Sequence, residues 1–453
     1  MRRNVVSANA VSENLSAVWT EAWVRLNERS AVIGIIGLGY VGLPLAAAAA
    51  KAGFTVVGVD IDAIRVERLQ RAESDIPAVP HSLLSLLVAE RKFRATTDFG
   101  ALADVDAVLI CVPTPITLQR EPDLSHVVDA TKAVASTLRP GQLIVLESTT
   151  WPGTTMEVMK PILEADGLVS GEHFYLAFSP EREDPGNAHF STTSIPKVVG
   201  ADGQDALKFS SHLYGCIVQD VVEVSSTQTA EAVKLTENIF RSVNIALVNE
   251  LKTLFHEMDI NVWEVIEAAK SKPFGYMPFY PGPGLGGHCI PIDPFYLTWK
   301  AREYDLTTRF IELAGQINTS MPRYVTQRLA EELDARTGKG LNGSKILIVG
   351  VAYKKNVGDL RESPALKMIE ILEERGAIVS YTDPHVPIIR ESVHPRHGSY
   401  TSVSDLDGHD AAVIITDHDG FEYQSVLEAC PFVLDTRNAI ASRGLLTSNV
   451  AMA

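Results

Sequence analysis

The stretch from Ala31 to Val59 constrains the fold of this 453-residue chain more than any other segment. It is nearly as apolar as a membrane span, but glycines, a proline and a lysine interrupt it. β-Branched residues fill its first and last thirds, and alanines fill the middle third. The pattern therefore predicts a strand over 31–36, a helix over 43–52 and a strand over 54–59, as in a parallel sheet that is buried on both faces.

The turn between the first predicted strand and the helix reads Gly37-Leu38-Gly39-Tyr40-Val41-Gly42. Glycines at this spacing permit a tight turn, a close approach to a pyrophosphate and tight packing of helix on strand. The N-terminus of the following helix offers N–H groups and positive partial charge to phosphates. These features predict a dinucleotide-binding site.

Asp60 ends the next predicted strand, where a carboxylate would bind ribose hydroxyls and repel a 2′-phosphate. The sequence therefore predicts NAD rather than NADP as the cofactor. Arg65 could soften this preference, or it could pair with Asp60 or lie on a solvated helix face.

Further strands are predicted over 107–112 and 143–146, with a helix over 125–137 between them. Ligands of open α/β sheets bind outside the carboxyl ends of strands, so the loops after these strands are expected to face the nicotinamide. The loop residues concerned are Pro113, Thr114 and Thr149. The alternative is that these segments are only turns.

Composition narrows the class of protein. The chain has 40 Lys and Arg against 56 Asp and Glu, and the net charge of −16 disfavours nucleic acid or anionic membrane as a partner. Its four cysteines show neither paired spacing nor a CxxC motif, which fits a reducing, cytoplasmic compartment and predicts no metal site. Residues 1–30 are expected to form a soluble leader with one amphipathic helix.

A long helix is predicted over 227–258, which lacks proline and glycine. We expect it to bridge two domains, and its length also suits a subunit interface. Lys234 and Asn238 are four residues apart and project from one face of this helix. An ammonium beside an amide suits a developing oxyanion, although two solvated polar residues would give the same pattern.

The segment 281–293 reads PGPGLGGHCIPID and contains too much glycine and proline for regular structure. It predicts a rigid loop that passes close to a ligand. Cys289 follows His288 and precedes Asp293 by four residues, a setting typical of an activated thiol rather than a structural cysteine.

The C-terminal third predicts a second α/β unit, with strands over 345–351, 378–381, 411–415 and 432–434 and a helix over 363–375. Its first strand is followed by a single glycine, so no second dinucleotide site is expected. Lys354, Lys355 and Arg361 form a local positive group in an acidic chain and predict an anion site. The alternative is a scaffold without a ligand.

From Val32 to Asp435 the chain resembles the nucleotide-sugar 6-dehydrogenases, which include UDP-glucose, UDP-N-acetylglucosamine, UDP-N-acetylmannosamine and GDP-mannose dehydrogenases. The motifs that carry the resemblance are GLGYVGLPLA (37–46), VPTP (112–115), ESTTWPGTT (147–155), FSPER (178–182), KLTENIFRSVNIALVNEL (234–251), PGPGLGGHCIPIDP (281–294) and GVAYKKNVGDLRESPA (350–365). It implies oxidation of a sugar C6 alcohol to a carboxylate with two NAD and one water.

The resemblance also implies roles for individual residues. Cys289 would add to the C6 aldehyde and carry a thiohemiacetal and then a thioester, which water hydrolyses. Lys234 and Asn238 would stabilise oxyanions, Asp293 with Thr149 would position or activate water, and Glu181 would assist hydrolysis. The substrate-binding residues would be Glu181, Arg182, Lys234, Asn238, Tyr280, Gly282, Gly286, Lys354 and Arg361. After the SPER motif the chain departs from the UDP-glucose branch, because Glu183-Asp184-Pro185-Gly186 replaces the segment that holds a second glutamate there.

The expected fold class is α/β, with two Rossmann-like domains joined by a long central helix and a helical middle domain. The predicted divisions are a leader over 1–30, an NAD-binding domain over 31–222, a central domain over 223–325 and a UDP-sugar-binding domain over 326–453. We expect a homodimer or higher homo-oligomer that associates through the central helix.

The segments 272–280 and 309–318 look most like the UDP-N-acetylglucosamine branch. UDP-N-acetylmannosamine, UDP-N-acetylgalactosamine and UDP-glucose remain alternative substrates. Several relatives have an arginine before the glycine loop that reaches a neighbouring subunit, but Lys272-Pro273 stands there; Arg309 could substitute or be a surface charge. More distant alternatives are a two-electron hydroxyacid dehydrogenase, which would not explain the Cys289 loop, and a non-catalytic NAD-binding protein.

Overall fold

The computed structural model describes residues 8–117, 121–182, 192–287, 290–390, 400–445 and 448–453. Its contacts divide the chain into two compact units. The first unit comprises Met1–Glu237 and Phe295–Tyr304, and the second comprises Asn238–Pro294 and Asp305–Ala453. Within the described ranges, none of the helices combines the length and the apolar character needed to cross a membrane.

The first unit contains an eight-stranded sheet with the order β3-β2-β1-β4-β5-β6-β7-β8. Its strands are β1 Val32–Ile36, β2 Thr55–Val59, β3 Phe93–Thr96, β4 Ala107–Ile110, β5 Leu143–Leu146, β6 Tyr175–Phe178, β7 Lys197–Ala201 and β8 Val221–Glu223. All neighbours pair in parallel except β6 and β7, which are antiparallel. The order of β1 to β6 is that of dinucleotide-binding sheets, whose ligand lies where the order reverses, between β1 and β4.

Helices flank this sheet. They are α1 Ala8–Asn27, α2 Gly42–Lys51, α3 Ala63–Gln70, α4 His81–Ala89, α5 Ser125–Ala135, α6 Lys160–Leu163 and α7 Gln204–Gly215. The helix expected within residues 1–30 is α1, and it packs on the sheet through aromatic contacts. The Trp19 ring stacks on that of Tyr175 with centroids 3.4 Å apart, and Trp23 contacts Phe209 edge to face at 5.1 Å.

The second unit contains a five-stranded parallel sheet with the order β10-β9-β13-β14-β15 and a small antiparallel pair, β11 with β12. These strands are β9 Lys345–Val349, β10 Ile378–Thr382, β11 Ile388–Ile389, β12 Tyr400–Thr401, β13 Ala411–Ile414, β14 Val433–Asp435 and β15 Val450–Met452. The remaining helices are α8 Thr227–Glu257, α9 Val262–Lys270, α10 Asp293–Ala301, α11 Arg309–Thr337, α12 Pro364–Glu374 and α13 Tyr423–Ala429. Helices α8 and α10 contribute residues to both units.

The α/β fold class predicted from the sequence is confirmed. Each strand predicted in the C-terminal third is present within two residues of its expected bounds, and the predicted long helix is α8. The sequence analysis did not predict β15, α11 or α13. The three-domain division stays a prediction, because the contacts divide the chain into two units and place the boundary inside α8.

Candidate active site

The glycine-rich turn of the first unit has the geometry of a phosphate cradle. Gly37 has a φ of 90°, and a Cβ there would lie 2.6 Å from the carbonyl oxygen of Cys111. A Cβ on Gly42 would collide with the carbonyl oxygen of Gly37. At Gly39, in contrast, no atom of the described residues lies within 4 Å of the Cβ position, so a ligand can approach the backbone. Helix α2 begins at Gly42, the last residue of the turn, and Tyr40 and Val41 directly precede the helix.

Asp60 follows β2 and holds this turn in place. One carboxylate oxygen accepts a hydrogen bond from Leu38 N at 2.8 Å, and the other accepts one from Asp62 N at 2.9 Å. Arg65 lies 3.3 Å from the same carboxylate, which is the pairing considered from the sequence. The Asp60 side chain is buried, and both of its carboxylate oxygens accept hydrogen bonds from backbone N–H groups. Its contact with the cofactor ribose stays a prediction.

The loops after β4 and β5 lie beside this turn, at the carboxyl ends of neighbouring strands. Ser148 Oγ donates to the carbonyl oxygen of Val112 at 2.7 Å, which ties the two loops together. Thr114 is buried, Pro113 is exposed and Thr149 is half-buried. The two segments are therefore ordered loops at the cofactor end of the sheet, as the topology requires.

Glu181 and Lys234 form an ion pair in the first unit. Their carboxylate oxygen and ammonium nitrogen are 3.6 Å apart, and the side chains are only 14% and 7% exposed. Arg182, the next residue, binds elsewhere: its guanidinium lies 2.6 Å from Glu237 and donates to the carbonyl oxygen of Pro196. Two of the predicted site residues, Glu181 and Lys234, are therefore in contact, whereas Arg182 pairs with Glu237.

A buried network that the sequence analysis missed lies next to Glu181. Lys197 forms an ion pair with Glu147 and donates to the carbonyl oxygen of Pro180 at 3.2 Å, while the Tyr214 hydroxyl donates to Glu147. Burial raises the pKa of Glu147, and the neighbouring Lys197 ammonium opposes that rise. The network fixes the backbone one residue before Glu181. Only the ESTT and SPER motifs marked this region in the sequence.

In the second unit, Asn238 and Asp293 are in direct contact. The Asn238 amide donates to the Asp293 carboxylate at 2.6 Å, and both side chains are at least 96% buried. Asp293 is the first residue of α10. Two residues predicted to act on the reacting carbon are thus held together across 55 positions of sequence.

The glycine loop of the second unit is anchored at both of its described ends. Gly282 N donates to Asn249 at 2.9 Å, and Gly287 N donates to the carbonyl oxygen of Arg361 at 2.9 Å. At Gly286 a Cβ would lie 2.7 Å from that of Tyr353, so only glycine fits. The predicted nucleophile Cys289 and its neighbour His288 lie outside the described residues, as do residues 183–186.

The positive group predicted after β9 is partly neutralised. The Arg361 guanidinium pairs with Asp359 at 2.6 Å, and Lys355 pairs with Asp419 at 2.9 Å. Lys354 is half-buried. These two carboxylates offset part of the local positive charge, and the anion site stays a prediction. Asp359 is two residues from Arg361, whereas Asp419 reaches Lys355 through the tertiary structure.

Tyr280 and Arg437 complete the surroundings of the loop. The Tyr280 hydroxyl donates to Glu267 at 2.6 Å, and its ring stacks on Trp263. Arg437 was not singled out from the sequence, yet its guanidinium packs against Gly282 and its Nε donates to the carbonyl oxygen of Ile415 at 2.8 Å. A half-buried arginine against a ligand loop is a candidate phosphate-binding group.

The doubly wound sheet, the glycine turn and the carboxyl-end loops define an NAD-dependent dehydrogenase. Family models match three segments: the NAD binding domain of the UDP-glucose/GDP-mannose dehydrogenase family over 31–218, its central domain over 228–320 and its UDP binding domain over 347–442. The chain belongs to this family and is an NAD-dependent nucleotide-sugar dehydrogenase. This confirms the resemblance, the class of enzyme and the cofactor predicted from the sequence.

Known proteins are similar to the chain over most of its length. A UDP-N-acetyl-D-mannosamine dehydrogenase of Methanococcus maripaludis is 35% identical over 421 residues, covering 90% of this chain and 93% of that protein. A UDP-N-acetyl-D-glucosamine 6-dehydrogenase of Pseudomonas aeruginosa is 34% identical over 386 residues, covering 82% and 89%. The solved structure of a UDP-D-ManNAc dehydrogenase from Pyrococcus horikoshii superposes with a TM-score of 0.84 at 32% identity, covering 93% of this chain and 98% of that one.

Proposed function

We propose that this enzyme oxidises the C6 alcohol of a UDP-N-acetylhexosamine to the carboxylate, using two NAD and one water. The observation that carries the proposal is the buried contact between Asn238 and Asp293, the last residue of the 281–293 segment that contains the predicted nucleophile. A two-electron hydroxyacid dehydrogenase would not need that loop. Bound NAD supplies the hydride acceptor for each of the two oxidations.

The cofactor is held by the first unit. The Gly39 backbone is open to the pyrophosphate, and α2 directs its positive N-terminus toward the same place. Asp60 stands where the adenosine ribose would lie, and its charge disfavours a 2′-phosphate. These groups bind and orient the cofactor, and they carry no proton in the reaction.

The two oxidations place different demands on the protein residues. In the first, the C6 hydroxyl loses its proton, and Lys234 and Asn238 stabilise the oxygen as charge develops. The Cys289 thiolate then adds to the aldehyde carbon, which forms a C–S bond and restores a tetrahedral carbon that can lose a second hydride. This addition gives a thiohemiacetal, and loss of the second hydride from its carbon to NAD leaves a thioester on Cys289.

Hydrolysis of the thioester needs water and a base. Water gives one proton to the base as its oxygen bonds to the C6 carbonyl carbon. The C–S bond then breaks, which releases the Cys289 thiolate and the C6 carboxylic acid, and the acid ionises to the carboxylate. We assign Asp293 and Thr149 to positioning the water, and Glu181, paired with Lys234, to the proton transfer. The Glu147 and Lys197 network would hold Glu181 in place.

Two hexosamines are supported by different observations. The sequence segments 272–280 and 309–318 favour UDP-N-acetylglucosamine, whereas the M. maripaludis and P. horikoshii proteins act on the C2 epimer, UDP-N-acetylmannosamine. Both share a 2-acetamido group, which is the feature that we propose for the substrate. We also propose that the enzyme is a homodimer that associates through α8.

The test is the yield of NADH with a panel of sugars. With UDP-N-acetylglucosamine, UDP-N-acetylmannosamine, UDP-N-acetylgalactosamine and UDP-glucose, we expect two NADH per sugar for one acetamido substrate. Cys289→Ser should stop turnover without weakening NAD binding, and Cys216→Ser is the matched control. One NADH per sugar, or full activity of Cys289→Ser, would refute the four-electron mechanism.

A further inference from the structure

A cavity of about 230 Å³ lies in the second unit, and none of its lining residues is assigned above to cofactor or substrate. It is lined by the C-terminal part of α8, the turn into α9, the middle of α11 and the end of β15. Lys252 and His256 face it from α8, Trp263 from α9 and Tyr324 from α11. The proposed reaction uses none of these side chains.

Lys252 is the unusual member of this lining. The residue is 4% exposed, and its ammonium makes no hydrogen bond to any part of the chain that the structure describes. Its closest aromatic neighbour is Tyr324, whose ring centroid lies 5.9 Å from the nitrogen. A buried ammonium without a partner is strongly unfavourable, because burial removes its hydration and nothing replaces it.

The surrounding charges do not relieve this cost. The pKa of Lys252 is lowered to about 7, chiefly by burial and also by repulsion from Arg437, while attraction to Asp435 opposes both effects. His256 and Asp259 lie at the exposed rim of the cavity. An anion inside the cavity would supply the missing counter-charge next to the Lys252 nitrogen.

Other groups at the cavity favour the same kind of ligand. The Tyr324 hydroxyl is buried and has no hydrogen-bond partner among the described residues. Helix α9 begins at Val262, with Asn261 as its cap, so its positive N-terminus borders the cavity. An ammonium, a hydroxyl donor and a helix N-terminus therefore converge on one space.

We propose that this cavity binds a phosphoryl group, either as free phosphate or on a small metabolite. Lys252 supplies the cation and Tyr324 a hydroxyl donor. A phosphoryl group suits the site because its several oxygens can accept from both donors at once, and its charge compensates the buried ammonium. Asn249, one turn before Lys252, holds Gly282 of the glycine loop, so the site adjoins the anchor of that loop.

Calorimetric titration tests the proposal. The full-length enzyme is saturated with NAD and UDP, which occupies their phosphate-binding groups. It is then titrated at pH 6.5, below the lowered pKa of Lys252. The probes are inorganic phosphate and glycerol 3-phosphate, which present the free and the esterified group. We expect saturable millimolar or tighter binding of at least one probe.

Substitutions of the lining residues test whether the phosphoryl group binds in this cavity. Lys252→Met should weaken binding at least tenfold and Tyr324→Phe severalfold, while Lys367→Met, at an exposed position on α12, should leave it unchanged. Unaltered melting temperatures would show that the variants are folded; if Lys252→Met unfolds, Tyr324→Phe carries the test. Absence of binding to the unmodified enzyme, or equal binding by the cavity variants and Lys367→Met, would overturn the proposal.

Discussion

At the scale of single residues, the stability of the first unit depends on the buried ion pair of Glu147 and Lys197. Glu147 is completely buried, and its only charged partner among the described contacts is Lys197. Removing one member of a buried pair leaves an uncompensated charge and typically costs about 3–5 kcal/mol. The pair therefore makes both stability and the position of Glu181 depend on one lysine.

We expect Lys197→Met to lower the free energy of unfolding by about 3–5 kcal/mol, because Glu147 is left buried without its cation. Adding Glu147→Gln should recover part of this loss, since the amide oxygen can still accept from Tyr214. Urea unfolding of both single variants and the double variant measures the coupling. Lys208→Met, at an exposed position on α7, is the control. Additive losses in the double variant would contradict the prediction.

Some contacts of the candidate site could be predicted from the sequence, and others could not. The turn at Gly37 to Gly42 could be predicted because its spacing encodes a local backbone requirement. The partner of Lys355 could not, because Asp419 is 64 positions away and only the fold brings the two together. Arg437 escaped notice for the same reason.

At the scale of elements, the same arrangement of a glycine and an aspartate follows the first strand of both sheets. In each, a glycine with positive φ follows the first strand, and an aspartate after the neighbouring strand accepts from the next backbone N–H. Asp60 accepts from Leu38 N in the first unit, and Asp383 from Val351 N at 2.7 Å in the second. Since the second unit lacks the glycine fingerprint, closing the turn is a structural role of this aspartate that does not require a dinucleotide.

Element prediction succeeded where hydrophobic periodicity is strong and failed where tertiary contacts decide. The buried strands of both sheets are short runs of β-branched residues, which the sequence reveals directly. Strand β15 has three residues and exists through its pairing with β14. Helix α11 continues through Pro322, a residue that usually ends a helix.

Helix α1 precedes the residues matched by the family models, and its packing predicts a measurable contribution to stability. Trp19→Ala should reduce the free energy of unfolding of the first unit by about 2 kcal/mol, because the stack on Tyr175 is lost. We expect a smaller loss than for a fully buried tryptophan. Trp19→Phe should retain most of it. The two variants can be compared by urea unfolding; equal stability of Trp19→Ala and the unmodified enzyme would show that α1 is dispensable.

At the scale of the whole molecule, the acidic surface and the anionic ligands are compatible because binding relies on local groups. The net charge of −16 is spread over the chain, while the proposed cofactor site consists of a helix N-terminus and a glycine backbone. Two of the cations that follow β9, Lys355 and Arg361, are paired with carboxylates. We therefore attribute ligand binding to directed donors rather than to a general positive field.

Helix α8 also exposes a row of apolar side chains that predicts self-association. Phe240, Leu247 and Leu254 are spaced by seven residues, and each is at least half exposed. Leu247→Glu should convert a dimer to monomers, because it places a charge at the centre of this row. Light scattering after size exclusion measures the mass, with Gln424→Glu on α13 as the control. A monomeric unmodified enzyme would refute the role of this row.

The stack of Trp263 on Tyr280 has an optical consequence. The other four tryptophans, Trp19, Trp23, Trp151 and Trp299, all belong to the first unit. Replacing these four by phenylalanine would leave a protein whose indole emission comes from one ring beside the Lys252 cavity. The chain thus carries a built-in fluorophore, through which events in the second unit can be followed by emission wavelength and lifetime without an attached dye.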